Sequence, residues 1–122
     1  MLFQKETSQV GAVIKAYQPG SIRLNIGTFS TPVLLVNGEK KDYTGPDNYQ
    51  DITSELLLNN LKELPEILII GTGSSHQLLP MAITQAINKQ GVAVESMASR
   101  EACHTYQVLT FEQRRISALI FP

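Results

Sequence analysis

Hydrophobic and polar positions divide the chain into a strand-rich first third and a remainder in which strands and helices alternate. Residues 10–17 are rich in Val, Ile and Tyr. After Pro19-Gly20, Ile22, Leu24 and Ile26 alternate with Arg23 and Asn25, the period of a half-buried strand. Pro19 pre-sets the first central dihedral of a type II turn and Gly20 accepts the positive φ of the second, so residues 10–17 and 21–26 are predicted to form a hairpin. A third strand over 33–36 stops at Asn37-Gly38, a dipeptide suited to a tight hairpin turn. Its returning arm, 39–43, is polar, with Lys40 and Lys41 placed as edge protection.

Residues 44–51 are predicted to be a loop, bracketed by Tyr43 and Tyr49, which serve either as core plugs or as interface aromatics. A helix follows, capped by Asp51 or Thr53. Leu57, Leu61 and Leu64 form its apolar stripe and Pro65 stops it. Ile67 to Ile70 are apolar at every position, which predicts a strand buried on both faces, as in the middle of a parallel sheet. The loop Gly71-Thr72-Gly73-Ser74-Ser75 comes next. A helix then spans 80–90, with Pro80 at its first position and Leu79, Ile83, Ala86 and Ile87 as its stripe. Gly91 ends it, and residues 92–94 form a short strand. This is a βαβ unit. A further helix over 100–109 takes Ser99 as its cap and buries Ala102, Tyr106 and Leu109. The last strand, 115–121, places Ile116, Ala118 and Ile120 on one face and Leu119 and Phe121 on the other. The pattern is an α/β fold: a mixed sheet with helices, preceded by a β-rich N-terminal part.

Composition narrows the class. The chain has 122 residues, 43% hydrophobic and 17% charged, with a net charge of −1. That suits one ordinary domain spanning 1–122, with residues 1–8 expected to be a loosely ordered tail. The single Cys103 rules out a disulfide framework, and with only two histidines there is no four-ligand zinc set. No metal is therefore expected. The near-neutral charge leaves no basic footprint for nucleic acid. No apolar run approaches the roughly 18 residues needed to span a bilayer, so direct membrane insertion is not expected. Met1 to Thr7 lacks a signal-peptide core, which points to a cytoplasmic protein.

Candidate chemistry centres on Gly71 to Ser75. Ligands of open α/β sheets bind at the carboxyl ends of strands, where this loop leaves the most buried strand. Backbone N–H groups there, with the hydroxyls of Ser74 and Ser75, suit a small anion, and Thr72 belongs to the same candidate pocket. Arg100 and Arg114 would complete such a pocket, and Cys103 and Tyr106 would line it. Glu95, 22 residues after Gly73, stands near the place of a ribose-binding acid. However, the third glycine of a dinucleotide fingerprint is replaced by His76, the helix begins late, and no Walker lysine follows. No cofactor is expected. The alternative reading is that Gly71 and Gly73 simply let the chain leave the sheet. Cys103 is either a thiol activated by a helix N-terminus and Arg100, or a buried, inert residue. His104 cannot pair with it, because adjacent helical side chains diverge.

The C-terminal half carries a resemblance. The buried strand into Gly71-Thr72-Gly73, Pro80, Gly91, Glu95, Met97, the string Ala102-Cys103-His104-Thr105-Tyr106, then Leu109, Glu112, Arg114 and Arg115 resemble the small α/β domain family of unknown function. That family includes the adipogenesis-associated Mth-like domain protein and a mitochondrial respiratory complex I assembly factor. Tyr17 and Gly20 suit its first hairpin. The resemblance implies a three-layer fold: a central mixed sheet of about five strands, one antiparallel, flanked by helices. It implies no catalytic residues. It points to a non-catalytic accessory domain that binds another protein, with a membrane or respiratory complex component as partner and a homo-oligomer left open. Departures are Met97-Ala98-Ser99 where members often have Met-Asp-Thr, His104 for an Arg, and Gln107 for an Asn. The competing reading is a small-anion or small-molecule binding protein, or weak enzyme, using residues 71–75.

Overall fold

The computed structural model describes residues 11–122; the expected N-terminal tail and Val10 of the first predicted strand lie outside the described residues. Three strands, β1 (Ile14–Gln18), β2 (Ser21–Leu24) and β3 (Gly27–Phe29), form a small antiparallel sheet. Gly20 makes the first turn with φ +89°, as Pro19-Gly20 predicts. A register shift between Ile14 and Ala16 bends β1.

The larger sheet contains β4 (Val33–Val36), β5 (Glu39–Lys41), β6 (Ile67–Thr72), β7 (Ala93–Met97) and β8 (Ile116–Phe121), in the order β5-β4-β8-β6-β7. β8 and β7 flank β6 in parallel, β4 is antiparallel to β8, and β5 is antiparallel to β4. β4 therefore runs against the other four strands. The unbroken apolar run of β6 has its predicted place: Leu68, Ile69 and Ile70 are at most 1% exposed. The polar β5 lies at an edge, also as predicted.

Strand period two sends alternate side chains into two cores. Val33, Leu35, Ile69, Ile116, Ala118 and Ile120 meet the small sheet and the helix α3 (Ser99–Phe111) through Ala102, Cys103 and Tyr106. On the other face Leu34, Leu68, Ile70, Leu119 and Phe121 meet α1 (Ser54–Asn60) and α2 (Met81–Asn88) through Leu57 and Ile87. The chain goes from β6 to β7 through α2, then back across β6 to β8 through α3. Two crossovers of the same hand running in opposite directions must use opposite faces, and they do. Tyr49 and Tyr43 meet the ring of Phe121 edge-on at 5.8 Å and 6.4 Å; both serve the core.

Five expectations need correction. The strand predicted over 21–26 ends at Leu24, and Ile26 is exposed. β3 is an additional strand. Its three residues include Gly27 at φ +153°, too short a run to show alternation. α1 ends at Asn60 rather than at Pro65, and Leu64 is partly exposed. The Asn60 side chain turns back to bond both N–H and C=O of Thr44, which fixes the exit there. Pro80 occupies the N-cap, not the first helical position. Ala98, not Ser99, occupies the N-cap of α3, because the hydroxyl of Ser99 is engaged by the sheet.

Candidate functional site

At the carboxyl end of β6 the glycine loop comes against the first turn of α3. A Cβ on Gly71 would lie 2.8 Å from Ser99 Oγ and 3.0 Å from Ala102 Cβ. Gly71 thus lets strand and helix approach closely. Gly73 has φ +100°, the left-handed region that glycine enters without steric cost. Its N–H donates to Ser99 Oγ at 2.8 Å, and its C=O accepts the Ser99 N–H at 2.8 Å. Ser99 Oγ in turn donates to Phe121 O at 2.5 Å. Ser99 is fully buried and fastens β6, α3 and β8 together. Local reading assigned Ser99 only a capping role and missed this one; only its position opposite Gly71 reveals it.

Of the remaining loop side chains, only that of Thr72 is turned inward. The hydroxyl of Thr72, which is buried, donates to Ser75 O at 2.7 Å and accepts the Gln77 N–H at 3.1 Å. Ser74 and Ser75 are exposed. The Gly73 amide, on which an anion site would depend, is already satisfied within the protein. Helix α2 starts eight residues after Gly73, too late for its N-terminus to join the loop as in a dinucleotide fold. Glu95 pairs in register with Ile69, short of the strand end, and is exposed.

The other candidate residues fall into separate places. Arg100, exposed, lies over the ring of Tyr17 at 5.4 Å. Cys103 is buried in the core between α3 and the small sheet, where desolvation pushes its thiol up to about 11, against the smaller opposing pull of Arg100. Burial there works against the thiolate form. Tyr106 is buried too, and its hydroxyl accepts the Gly38 N–H at 2.7 Å. Burial raises its pKa above the ordinary phenol value, offset in part by that hydrogen bond. Arg114 stands beside Glu66, with Nε 3.5 Å from Oε1, where the chain enters β6. The six residues of β6, at roughly 3.3 Å each, separate it from the glycine loop by about 20 Å. Arg114 and Gly73 therefore do not converge on one ligand.

Several surface depressions touch one candidate residue each without reaching residues 71–75: one of about 630 Å³ includes Arg100 and one of about 270 Å³ includes Arg114. A third, of about 340 Å³, lies between Val13, Tyr106 and Phe111. Another, of about 490 Å³, lies between Asp42, Thr44 and the helix α1. Among the described residues no group of three or more His, Cys, Asp or Glu side chains is placed to hold a metal ion, and no helix is long and apolar enough to cross a membrane.

The sequence profile described as protein of unknown function (DUF498/DUF598) matches residues 14–121. The chain belongs to this family. One relative, the 13 kDa major membrane protein of Francisella tularensis, is 37% identical over 121 residues, covering 98% of each protein. The NADH dehydrogenase [ubiquinone] 1 alpha subcomplex assembly factor 3 of Danio rerio is 29% identical over 99% of this chain and 70% of its own length. A crystal structure of a protein from Bordetella parapertussis superposes with a TM-score of 0.82 at 30% identity, covering 93% of this chain and 97% of that one. The resemblance, carried by residues 66–122 with Tyr17 and Gly20 and expected to cover nearly the whole chain, does so, complex I assembly factors included.

Proposed function

We propose that this chain is a non-catalytic accessory domain that binds another protein, in the manner of an assembly factor for a membrane or respiratory complex. The observation that carries the reading is the internal use of the glycine loop. Gly71 and Gly73, the motif that most suggested a ligand, dock α3 on the sheet through Ser99. The likeness over 99% of the chain to a complex I assembly factor supports it. Leu78 and Met81 supply apolar surface at the entrance to α2, 82% and 71% exposed, the kind of surface that protein contacts use. The partner is a component of such a complex, met from the cytoplasmic side. The competing small-anion reading has against it the satisfied Gly73 amide and the distance of Arg114.

Deleting the gene in the source organism and quantifying intact NADH dehydrogenase complex on native gels tests the proposal. The expected result is a reduced level that is restored by the wild-type protein, but less well by a Leu78→Ser, Met81→Ser variant. An unchanged level, together with no partner recovered by in-cell crosslinking, would overturn it.

A further inference from the structure

We propose that Asn37-Gly38 is a latent self-modification site: the docked turn keeps Asn37 as the amide, and freeing the turn converts it to aspartate or isoaspartate. Asn followed by Gly is the sequence in which this chemistry meets least hindrance, because the residue contributing the attacking nitrogen has no Cβ. The Gly38 amide nitrogen attacks Asn37 Cγ. The new C–N bond closes a five-membered imide, and the bond between Cγ and Nδ2 breaks. Ammonia leaves, carrying the proton that the peptide nitrogen gives up. Water then opens either imide carbonyl, so no reagent other than water is needed.

Water has access to this site. Asn37 is exposed, at φ +49°, in the two-residue turn between β4 and β5. What opposes the reaction is geometry. Ile116 N–H donates to Asn37 Oδ1 at 3.0 Å, and Asn37 N–H donates to Ile116 O at 2.9 Å. The first holds the carboxamide, and the second the main chain of Asn37, to the start of β8. The attacking nitrogen is occupied as well: Gly38 N–H donates to the buried Tyr106 hydroxyl at 2.7 Å. Gly38 O accepts the Ala12 N–H at 2.8 Å, which ties the turn to the segment entering β1. For Cγ to reach the nitrogen, the carboxamide must release Ile116 and the Gly38 amide must release Tyr106. Conversion therefore proceeds through local opening of this end of the molecule, and its rate reports that opening. The isoaspartate product adds an atom to the main chain of the turn, so the Val36↔Glu39 register cannot re-form unchanged.

The test incubates the full-length protein at mildly alkaline pH. Conversion at Asn37 is followed by peptide mass mapping with isoaspartate detection, for folded protein, for protein in guanidinium chloride, and for Tyr106→Phe. Folded wild type should hold the amide while the denatured protein loses it. Tyr106→Phe, with circular dichroism showing that it remains folded, should convert roughly fivefold faster or more than folded wild type, as expected from losing one net hydrogen bond. Equal rates in folded and denatured wild type would overturn the proposal, as would a folded Tyr106→Phe that converts at the wild-type rate. If Tyr106→Phe does not fold, hydrogen exchange at the Gly38 amide of wild type decides. Slow exchange that accelerates in step with conversion as denaturant is added supports the proposal, and free exchange in the native protein refutes it.

Discussion

Ser99 Oγ lies 2.8 Å from the Gly73 nitrogen and closes the carboxyl end of β6, where an open α/β sheet would place a ligand. The same oxygen donates to Phe121 O, so one buried hydroxyl satisfies two backbone groups, one just past the end of β6 and one at the end of the neighbouring parallel β8. The residue that looked like a helix cap is a fastener between helix and sheet.

Ser99→Ala should therefore be costly. It leaves the Gly73 N–H and the Phe121 C=O unpaired in a buried setting, at about 1–3 kcal/mol each, so a loss of about 2–6 kcal/mol is expected. Urea denaturation should show a lower midpoint with an unchanged slope. Ser74→Ala, at an exposed loop position, should stay within about 0.5 kcal/mol of wild type. Equal small effects for both would mean that the Ser99 bonds contribute nothing.

Gly71→Ala separates a packing role from a binding role. The added methyl would lie 2.8 Å from Ser99 Oγ and 3.1 Å from Ser99 Cα. Helix and strand would have to move apart, at about 1–3 kcal/mol for overpacking. Thermal unfolding should register this loss in the protein alone. A Gly71→Ala protein as stable as wild type would show that the close approach of α3 is not required.

The parts of this fold that were legible in the sequence are those set by local periodicity. The unbroken run Ile67 to Ile70 announced a strand covered on both faces, and the alternation from Ile116 to Phe121 assigned each side chain to its core. Pro19-Gly20 and Asn37-Gly38 wrote their turns in residues that tolerate positive φ. Asn60 was different. It stops α1 through bonds to Thr44, sixteen residues away, and no local window of sequence contains both partners. The distance of Arg114 from the glycine loop was hidden for the same reason. Arg114 and Gly73 are both loop residues at strand ends, and only the parallel pairing of β6 with β8 shows that they stand at opposite ends of the sheet. Ser99 could not be chosen as a hub without knowing that Gly71 faces it.

Cys103 should make stability fall at alkaline pH. Its thiol titrates at about 11 in the folded protein against an ordinary value of 9.0, chiefly because burial disfavours the thiolate. The group's contribution is fully present below about pH 9. As pH rises from about 9 to about 11 the unfolded state loses this proton while the folded state keeps it, so stability drops, by at most about 1.4 kcal/mol per pH unit for one group. Tyr43, raised by burial to about 12, adds a loss in the same direction at still higher pH. Urea titrations near pH 8 and near pH 10.5 should show a smaller drop for Cys103→Ala than for wild type. Alkylation of the native thiol near pH 8 should be slow and should become rapid in denaturant. A native thiol that reacts as fast as the unfolded one would contradict its burial.

Gln113 offers a stabilising change. It follows the C-cap Glu112 of α3 with φ +59°, the left-handed position that ends many helices and is usually glycine. A residue with a Cβ carries a strain there of roughly 1–2 kcal/mol. Glycine removes that strain but adds about 0.5–1 kcal/mol of unfolded-state entropy. The Gln113 side chain is exposed, so truncating it uncovers no core. Its N–H donates to Thr110 O at 3.1 Å, a bond that glycine keeps. Gln113→Gly should therefore gain up to about 1 kcal/mol, whereas Gln113→Val, β-branched at positive φ, should lose stability. Urea midpoints that rank valine at or above glycine would show that this turn is not held in the left-handed conformation.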